Sequence, residues 1–281
     1  MNTTQERNAG LPVRRNLAQI YALSLMTAIL MAAASVIGLL HRAVIYPTDD
    51  LLQSFVSNDV ANLFIGLPIL LGSMWLARRG KLIGLLFWPG ALFFVLYNHI
   101  VYVFAMPLNG AFLLHLTLVT LSVYTTIGLV ASIDGEAVRQ RLTGSVPERI
   151  AGAILAGLGL LFFLRAIGVI INALTSQAPI AETELALQVS DFLTAPAWVI
   201  GGVLLWRRRG FGYVTGLGLL FQASMLFIGL IIFLLLRPFL TAAPFVLADV
   251  VVIFILGLIC FVPFGLFVRG VVSGRSSPPM W

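Results

Sequence analysis

The sequence has little charge: only 10% of its 281 residues are Asp, Glu, Lys or Arg. Soluble domains carry about 25% charged residues, so this chain lacks the side chains to cover a water-facing surface. Apolar residues make up 60% of the chain instead, and the mean hydropathy is +1.03. The composition excludes a soluble globular domain and indicates an integral membrane protein.

Cysteine and catalytic motifs are also scarce. Cys260 is the only cysteine and lies in an apolar run, which excludes a disulfide framework and a thiolate metal site. The sequence has no H-E-x-x-H, G-x-S-x-G or Walker motif, and no paired carboxylates inside an apolar run. These absences favour a binding or transport role over an enzyme, and they exclude an ATP-driven motor within this chain alone.

Eight apolar stretches are long enough to cross a bilayer, which takes about 20 residues of helix. Backbone polar groups must be paired within each span, so the stretches are expected to be α-helical. Their ranges are 17–41, 59–77, 82–105, 110–132, 150–174, 191–206, 212–236 and 244–268. The sequence therefore predicts an all-α membrane protein with eight transmembrane helices.

The basic residues predict how these helices are oriented. A net charge of +6 could suggest nucleic acid, but the Lys and Arg residues lie in short clusters between apolar runs. Most of the clusters share one side if the N-terminus is cytoplasmic, as the positive-inside rule requires. We expect no nucleic-acid partner, both termini in the cytoplasm, and a location in the inner membrane of a bacterium or archaeon. Residues 14–40 resemble a signal peptide in part, but their apolar run is longer than a usual h-region.

The chain contains a tandem repeat. A Val-Ser-Asp pattern, an apolar helix and a Trp-to-Gly segment rich in Arg occur at 56–80 and again at 189–210. Each copy continues with a Gly- and Phe-rich helix, a loop with Pro107 or Pro238, and another helix. A unit of four helices enters the membrane from the same side each time, so we expect two parallel repeats related by a pseudo-two-fold axis along the membrane normal. The predicted parts are a cytoplasmic tail (1–16), a first repeat (17–133), a cytoplasmic linker (134–148), a second repeat (149–269) and a cytoplasmic tail (270–281).

Shorter patterns refine this outline. Val138, Leu142 and Val146 recur at spacing four in the linker, which predicts an interfacial amphipathic helix. Proline interrupts several of the spans, and transporters often use broken helices to expose backbone around a substrate. The interrupting residues are Pro68, Pro89, Pro196 and Pro263.

Ionisable groups within the spans carry the strongest functional signal, because a charge in lipid is expensive. At a rise of about 1.5 Å per residue, these groups gather in the outer half of the bilayer. Arg165 in the fifth span and Asp249 near the start of the eighth fall at compatible depths, which predicts an ion pair. The pair is either a fixed structural contact or the anchor of an anionic or zwitterionic ligand.

A second polar group lies in the third and fourth spans. His99 and His115 fall at the same depth on the two sides of a short hairpin, with Asn98 and Tyr102 beside His99. We expect these four side chains to line a cavity in the outer half. Facing imidazoles could ligate haem or a metal, but no Cys or Glu ligand is nearby, so no cofactor is predicted.

Two aspartates occupy matching places in the repeat. Asp59 and Asp191 follow Asn or Ser at the predicted starts of the second and sixth spans. Such residues commonly cap helix N-termini and complement the helix dipole. We therefore interpret both as structural caps, with Asn62 one turn further on.

Segments 75–80, 88–91 and 97–99, which read WLARRG, WPGA and YNH, resemble a set of uncharacterised bacterial multipass membrane proteins. In that set the third helix carries Tyr-Asn-Tyr, whereas this chain has His99 in place of the second tyrosine. The resemblance covers less than a third of the chain and implies no activity.

The polar residues favour a small permease or a protein that binds a lipid or another lipophile. Membrane lipid and a small anionic or zwitterionic ligand are the expected partners, bound by Arg165 and Asp249. Two alternatives remain. One is a membrane enzyme that acts on a lipid or quinone with His99 or His115 as acid–base. The other is a structural subunit of a larger membrane complex or oligomer.

Overall fold

A computed structural model describes residues 10–108, 110–177 and 179–273. The predicted tails lie largely outside these residues. Eight helices within them are long and apolar enough to cross a membrane, which confirms the predicted number. In chain order they are α1 (Ala18–Leu40), α2 (Asp49–Arg78), α3 (Leu82–Ala105), α4 (Phe112–Ser132), α5 (Glu148–Ser176), α6 (Glu182–Trp206), α7 (Gly210–Leu240) and α8 (Leu247–Ser273).

Two short helices mark the ends of the bundle. Gly135–Leu142 connects α4 to α5, and Arg42–Ile45 lies between α1 and α2. We call the end with Gly135–Leu142 the linker end and the opposite end the far end. Consecutive spanning helices run in opposite directions between these two ends.

Helices α2 and α6 begin about ten residues earlier than predicted. Thr48 caps α2, because its hydroxyl accepts a hydrogen bond from Leu51 N at 3.3 Å, and α6 begins at Glu182. Asp59 and Asp191 consequently lie well inside continuous helices. Their interpretation as N-caps is wrong, because the polar first turns of both helices were taken for loop.

Helix α3 lies at the centre of the bundle. In the most apolar 18-residue stretch of α3, 83% of the residues are buried, whereas 17–44% are buried in the corresponding stretches of the other seven helices. Close packing of α3 on α7 depends on Gly90 and Gly218, since a Cβ on either glycine would collide with the backbone of the other. Small residues at such crossings let membrane helices approach and gain van der Waals contact.

The prolines affect the helices unequally. In α2 a π-helical turn spans Asn62–Gly66 and ends two residues before Pro68, whose missing N–H disturbs the regular hydrogen bonding. Helices α3, α6 and α8 remain continuous through their prolines. Pro238 lies inside α7 and not in the loop that the sequence suggested.

The linker end is stabilised by apolar packing and by polar contacts. Val138, Leu142 and Val146 are buried, as expected for the apolar face of an amphipathic segment. Asp134 caps helix Gly135–Leu142 through Ala137 N, and it accepts a hydrogen bond from Arg14 Nη2 at 3.1 Å. The hydrogen bonds from Ala137 N–H and Arg14 lower the pKa of Asp134.

Candidate functional site

The first buried carboxylate belongs to Asp59, which is 1% exposed in the middle of α2. Tyr46, from the loop between α1 and α2, donates its hydroxyl hydrogen to Asp59 Oδ2 at 2.6 Å. Tyr102, from α3, donates to Asp59 Oδ1 at 2.7 Å. Each carboxylate oxygen therefore has a phenolic donor, and we call this cluster the Asp59 centre.

A chain of amides and a hydroxyl lies next to the Asp59 centre. Asn98 Nδ2 on α3 donates to Asn62 Oδ1 at 2.9 Å, and Asn62 Nδ2 donates to Ser35 Oγ on α1 at 3.2 Å. All three side chains are buried. Helices α1, α2 and α3 are thus tied together at one depth by partnered polar groups, and Asn98 belongs to this chain.

The second buried carboxylate belongs to Asp191, which is 4% exposed within α6. Tyr97 on α3 donates its hydroxyl hydrogen to Asp191 Oδ1 at 2.9 Å, and Ser190 Oγ donates to Tyr97 O at 3.0 Å. Arg165 Nη1 lies 4.0 Å from Asp191 Oδ2, with the Arg165 side chain 49% exposed. In this cluster, the Asp191 centre, the carboxylate has one tyrosine and one loosely placed cation.

The structure does not bring Arg165 and Asp249 together. Arg165 pairs with Asp191 on the neighbouring helix α6, and Asp249 is exposed in the first turn of α8. Among the described residues Asp249 forms no ion pair. Depth alone suggested the pair, but the direction in which a side chain leaves its helix decides which partner it meets.

His99 and His115 do meet across the α3–α4 hairpin, with their Nδ1 atoms 3.0 Å apart. One ring must donate Nδ1–H and the other must accept it, so neutral rings take opposite tautomers. The Tyr102 ring stacks on both imidazoles, at centroid distances of 5.3 Å to His99 and 4.5 Å to His115. Among the described residues no group of three or more His, Cys, Asp or Glu could hold a metal ion.

Several buried polar atoms in the described residues have no hydrogen-bond partner. They include His99 Nε2 and both amide atoms of Gln188 and Gln222. Gln222 stands out in the sequence because it interrupts an apolar run, whereas Gln188 lies in the part of α6 that the sequence suggested was loop. Such groups lower the stability of the resting structure unless water or a ligand meets them.

A long apolar groove runs along α3. It consists of two adjoining cavities of about 520 and 380 Å³ that share Phe93, Leu96 and Val123 in their walls. Its walls include Ile100 and Phe104 from α3, Leu116, Ile127 and Ala131 from α4, Leu193, Ala197 and Ile200 from α6, and Phe211 and Leu219 from α7. We call this feature the α3 groove.

The α3 groove meets a polar cavity at the linker end. This third cavity, of about 320 Å³, shares Val130, Ala131 and Phe211 with the groove and is also lined by Arg14 and Glu136. From Pro89 to Phe104 the groove follows about 22 Å of α3 at 1.5 Å per residue. The apolar groove thus extends over most of the height of a hydrocarbon core, which is about 30 Å, and it adjoins a charged pocket at one end.

Comparisons with known proteins do not assign this arrangement. The chain matches no model of a protein family, no curated protein and no solved structure. The resemblance of segments 75–80, 88–91 and 97–99 to bacterial multipass proteins therefore stays a prediction. The features that bear on function are the α3 groove and the buried Asp59 and Asp191 centres.

Proposed function

We propose that this membrane protein binds a lipid or a similar lipophile in the α3 groove, as a lipid-binding protein or a small permease. The observation that carries the proposal is that the groove adjoins the charged pocket at the linker end, with three residues in both walls. Ligand sites are commonly apolar concavities of about 300–1,000 Å³ with a few polar groups at defined places. An amphipathic molecule has the same division into a long apolar part and one polar end.

The polar end of the ligand would lie near Arg14 and Glu136. Arg14 offers donors to a phosphate or carboxylate, and Glu136 offers a carboxylate to an ammonium group, although each already contacts a neighbour. This moves the proposed anchor from the outer half, where the sequence favoured Arg165 and Asp249, to the linker end. Asn98, His99, Tyr102 and His115 make hydrogen bonds or ring contacts with protein neighbours instead.

We also propose the two parallel repeats and the cytoplasmic position of the linker end. Gly90 on α3 and Gly218 on α7, the third helices of the two halves, touch each other, as expected near a pseudo-two-fold axis. Basic residues crowd the linker end, whereas the far end has four acidic residues at the starts of α2 and α6. That asymmetry supports a cytoplasmic linker end in an inner membrane.

The alternative of a membrane enzyme has less support from the geometry. His99 and His115 are buried against Tyr102, and neither is among the residues that line the α3 groove. A general acid or base has to reach the reacting group directly or through one water. The enzyme and the structural-subunit hypotheses stay predictions, and no contact in the described residues favours them.

A tryptophan that fills the groove tests the proposal. Ala197 lines the groove, so Ala197→Trp should block the ligand, whereas Ala153→Trp adds the same side chain on the exposed face of α5. Delipidated protein is titrated with phosphatidylglycerol or phosphatidylethanolamine and the bound phospholipid is counted by native mass spectrometry. We expect affinity to fall about tenfold or more, about 1.4 kcal/mol, in Ala197→Trp only.

Equal retention of phospholipid by Ala197→Trp, Ala153→Trp and the unchanged protein would contradict a lipid site in the groove. The two phospholipids separate the headgroup classes. A preference for phosphatidylglycerol that is lost in Arg14→Gln would assign the anionic group to the Arg14 pocket. Retention that ignores the headgroup would leave the apolar groove as the only determinant.

A further inference from the structure

Within the part of the chain that the structure describes, the Asp59 centre has a buried carboxylate but no cation. The ion pairs in the described residues are Arg14–Asp134, Arg139–Glu136, Arg165–Asp191 and Arg208–Glu148, so Asp59 takes part in none. An ionised carboxylate within a membrane helix is costly without a counter-charge. We propose that Asp59 is a proton-binding site. Whether it is protonated controls the hydrogen bond from Tyr46 to Asp59, and so how firmly the α1–α2 loop is attached to α2. The proposal stands on this centre and does not depend on a ligand in the α3 groove.

The groups around Asp59 come from four parts of the chain. They are Tyr46 from the α1–α2 loop, Tyr102 from α3, Gly38 and Ser35 from α1, and Phe55 O and Asn62 from α2. The His99 and His115 rings both stack on the Tyr102 ring. Arg42, the cation of the same loop, is exposed and forms no ion pair with Asp59. The direct partners of Asp59 are therefore hydroxyl donors, those of Tyr46, Tyr102 and Ser35.

The packing around Asp59 selects a proton over a larger cation. A Cβ on Gly38 would collide with both the Asp59 carboxylate and the Tyr46 hydroxyl, so α1 packs directly against the pair. Asp59 also lines none of the cavities described above. A sodium ion with its oxygen ligands would need space that this packing does not leave, whereas a proton needs none.

Binding of one proton changes the hydrogen bonds in a defined way. In the ionised centre Tyr46 Oη–H donates to Oδ2 and Tyr102 Oη–H donates to Oδ1. When a proton binds Oδ2, the new O–H donates to Tyr46 Oη, and the Tyr46 hydrogen must turn to another acceptor. Tyr102 can keep its bond, because Oδ1 remains an acceptor and stacked histidines hold the Tyr102 ring. The proton therefore acts on Tyr46, and through it on the loop between α1 and α2.

The next turn of α2 can absorb such a change. The π-helical turn Asn62–Gly66 begins three residues after Asp59, and π-turns within α-helices often mark functional sites. Asn62 belongs both to this turn and to the polar chain that joins α1, α2 and α3. Asp59 therefore lies close to the π-helical turn of α2 and contacts the loop at the far end. A change in its hydrogen bonds can be taken up by either segment.

Infrared difference spectroscopy of the full chain in nanodiscs, between low and high pH, tests the proposal. We expect a C=O band of a protonated carboxyl group that titrates with pH, is absent in Asp59→Asn and persists in the matched variant Asp191→Asn. Tyr46→Phe removes one donor to the ionised form but keeps the ring on Phe55. It should raise the midpoint of the band by about one to two pH units.

Hydrogen exchange in residues 41–48 gives the second readout. Exchange should be faster below the midpoint than above it in the unchanged protein, and fast on both sides of it in Tyr46→Phe. A titrating band that survives Asp59→Asn, or the absence of any such band, would overturn the proposal. If Asp59→Asn does not fold, Tyr46→Phe provides the test instead. The proposal is overturned if the midpoint of the carboxyl band is the same in Tyr46→Phe as in the unchanged protein.

Discussion

The Asp59 and Asp191 centres place the same side chain on helices α2 and α6 and stabilise it differently. Asp59 accepts hydrogen bonds from two tyrosines and faces no cation among the residues described, whereas Asp191 accepts one from Tyr97 and faces Arg165 at 4.0 Å. Helix α3 supplies a tyrosine to each. The difference teaches that a buried carboxylate in this bundle can be stabilised either by hydroxyl donors, which can turn and accept from a protonated carboxyl group, or by a cation, which can only favour the ionised form.

The proposed repeat gives the difference a simple origin. When the match of Arg15 with Arg149 is continued along α1 and α5, Met31 stands where the second half has Arg165. Met31 is fully buried, so α1 has no charge to offer at that place. In the first half the loop tyrosine Tyr46 supplies the additional polar contact instead. One half would then hold a fixed charge pair, and the other a carboxylate that can change its charge.

Removal of each carboxylate should separate the two centres most clearly. Asp59→Ala leaves the Tyr46 hydroxyl without its acceptor and Tyr102 with only the longer, 3.4 Å contact to Phe55 O, and should lower the free energy of unfolding by about 3 kcal/mol. Asp191→Ala leaves one buried hydroxyl and an arginine that is half exposed, so we expect about 1–2 kcal/mol. Unfolding in mixed micelles with increasing denaturing detergent measures both.

Equal losses in Asp59→Ala and Asp191→Ala would contradict the difference in how the two carboxylates are held. Serine variants provide the matched control, because the remaining hydroxyl accepts one hydrogen bond. Asp59→Ser should recover part of the loss, since it satisfies one of two donors. Asp191→Ser should recover a larger fraction of its smaller loss, because Tyr97 is the one hydroxyl donor that it has to satisfy.

Exchange of Arg165 for the residue of the first half should convert one centre toward the other. Arg165→Met leaves the Asp191 carboxylate with Tyr97 as its only close partner and should cost about 1 kcal/mol, discounted because the arginine is half exposed. The loss should be larger at high pH, where Asp191 is ionised, than at low pH. Unfolding at several pH values and the infrared band of a protonated carboxyl group measure the change.

Arg165→Lys is the control for that exchange, because it keeps a positive charge on α5 with similar reach. It should preserve most of the stability and show no new carboxyl band. If Arg165→Met and Arg165→Lys behave alike at every pH, the 4.0 Å contact carries no electrostatic stabilisation. The Asp191 centre would then rest on Tyr97 alone.

The sequence predicts the depth of a residue in this bundle better than it predicts the direction in which its side chain points. The eight helices follow from apolar runs of sufficient length, and the meeting of His99 with His115 follows from equal depth across a short hairpin. The pairing of Arg165 with Asp249 was expected on the same ground and does not form. Spanning helices are apolar on all sides, so no amphipathic stripe indicates which face turns inward. The partner of Arg165 therefore depends on helix rotation, which the pattern leaves open.

Two other features were missed for related reasons. The first turns of α2 and α6 are polar, so Asp59 and Asp191 looked like residues at helix starts. Tyr46 lies in a loop and carries no pattern that points to Asp59, thirteen residues along the chain. The α3 groove depends on the distances between α3, α4, α6 and α7, which no single segment encodes. Tyr97 and Tyr102, in contrast, could be found as polar aromatics in an apolar helix.

The smallest expected effect concerns two carboxylates that lie outside the eight long apolar helices and sharpen the contrast with Asp59. Hydrogen bonds lower the pKa of Asp134 and of Glu136 from their ordinary values of 3.8 and 4.5, chiefly through Ala137 N–H and Arg139 respectively. A carboxylate with a lowered folded pKa stabilises the fold above its ordinary pKa and loses that contribution as the pH falls through the folded value. Stability at the linker end should therefore be constant above about pH 4.5 and decline below about pH 3.8. Asp134→Asn should flatten that decline, as unfolding between pH 3 and 6 would show, while a transition that remains at higher pH and disappears in Asp59→Asn would belong to the buried centre.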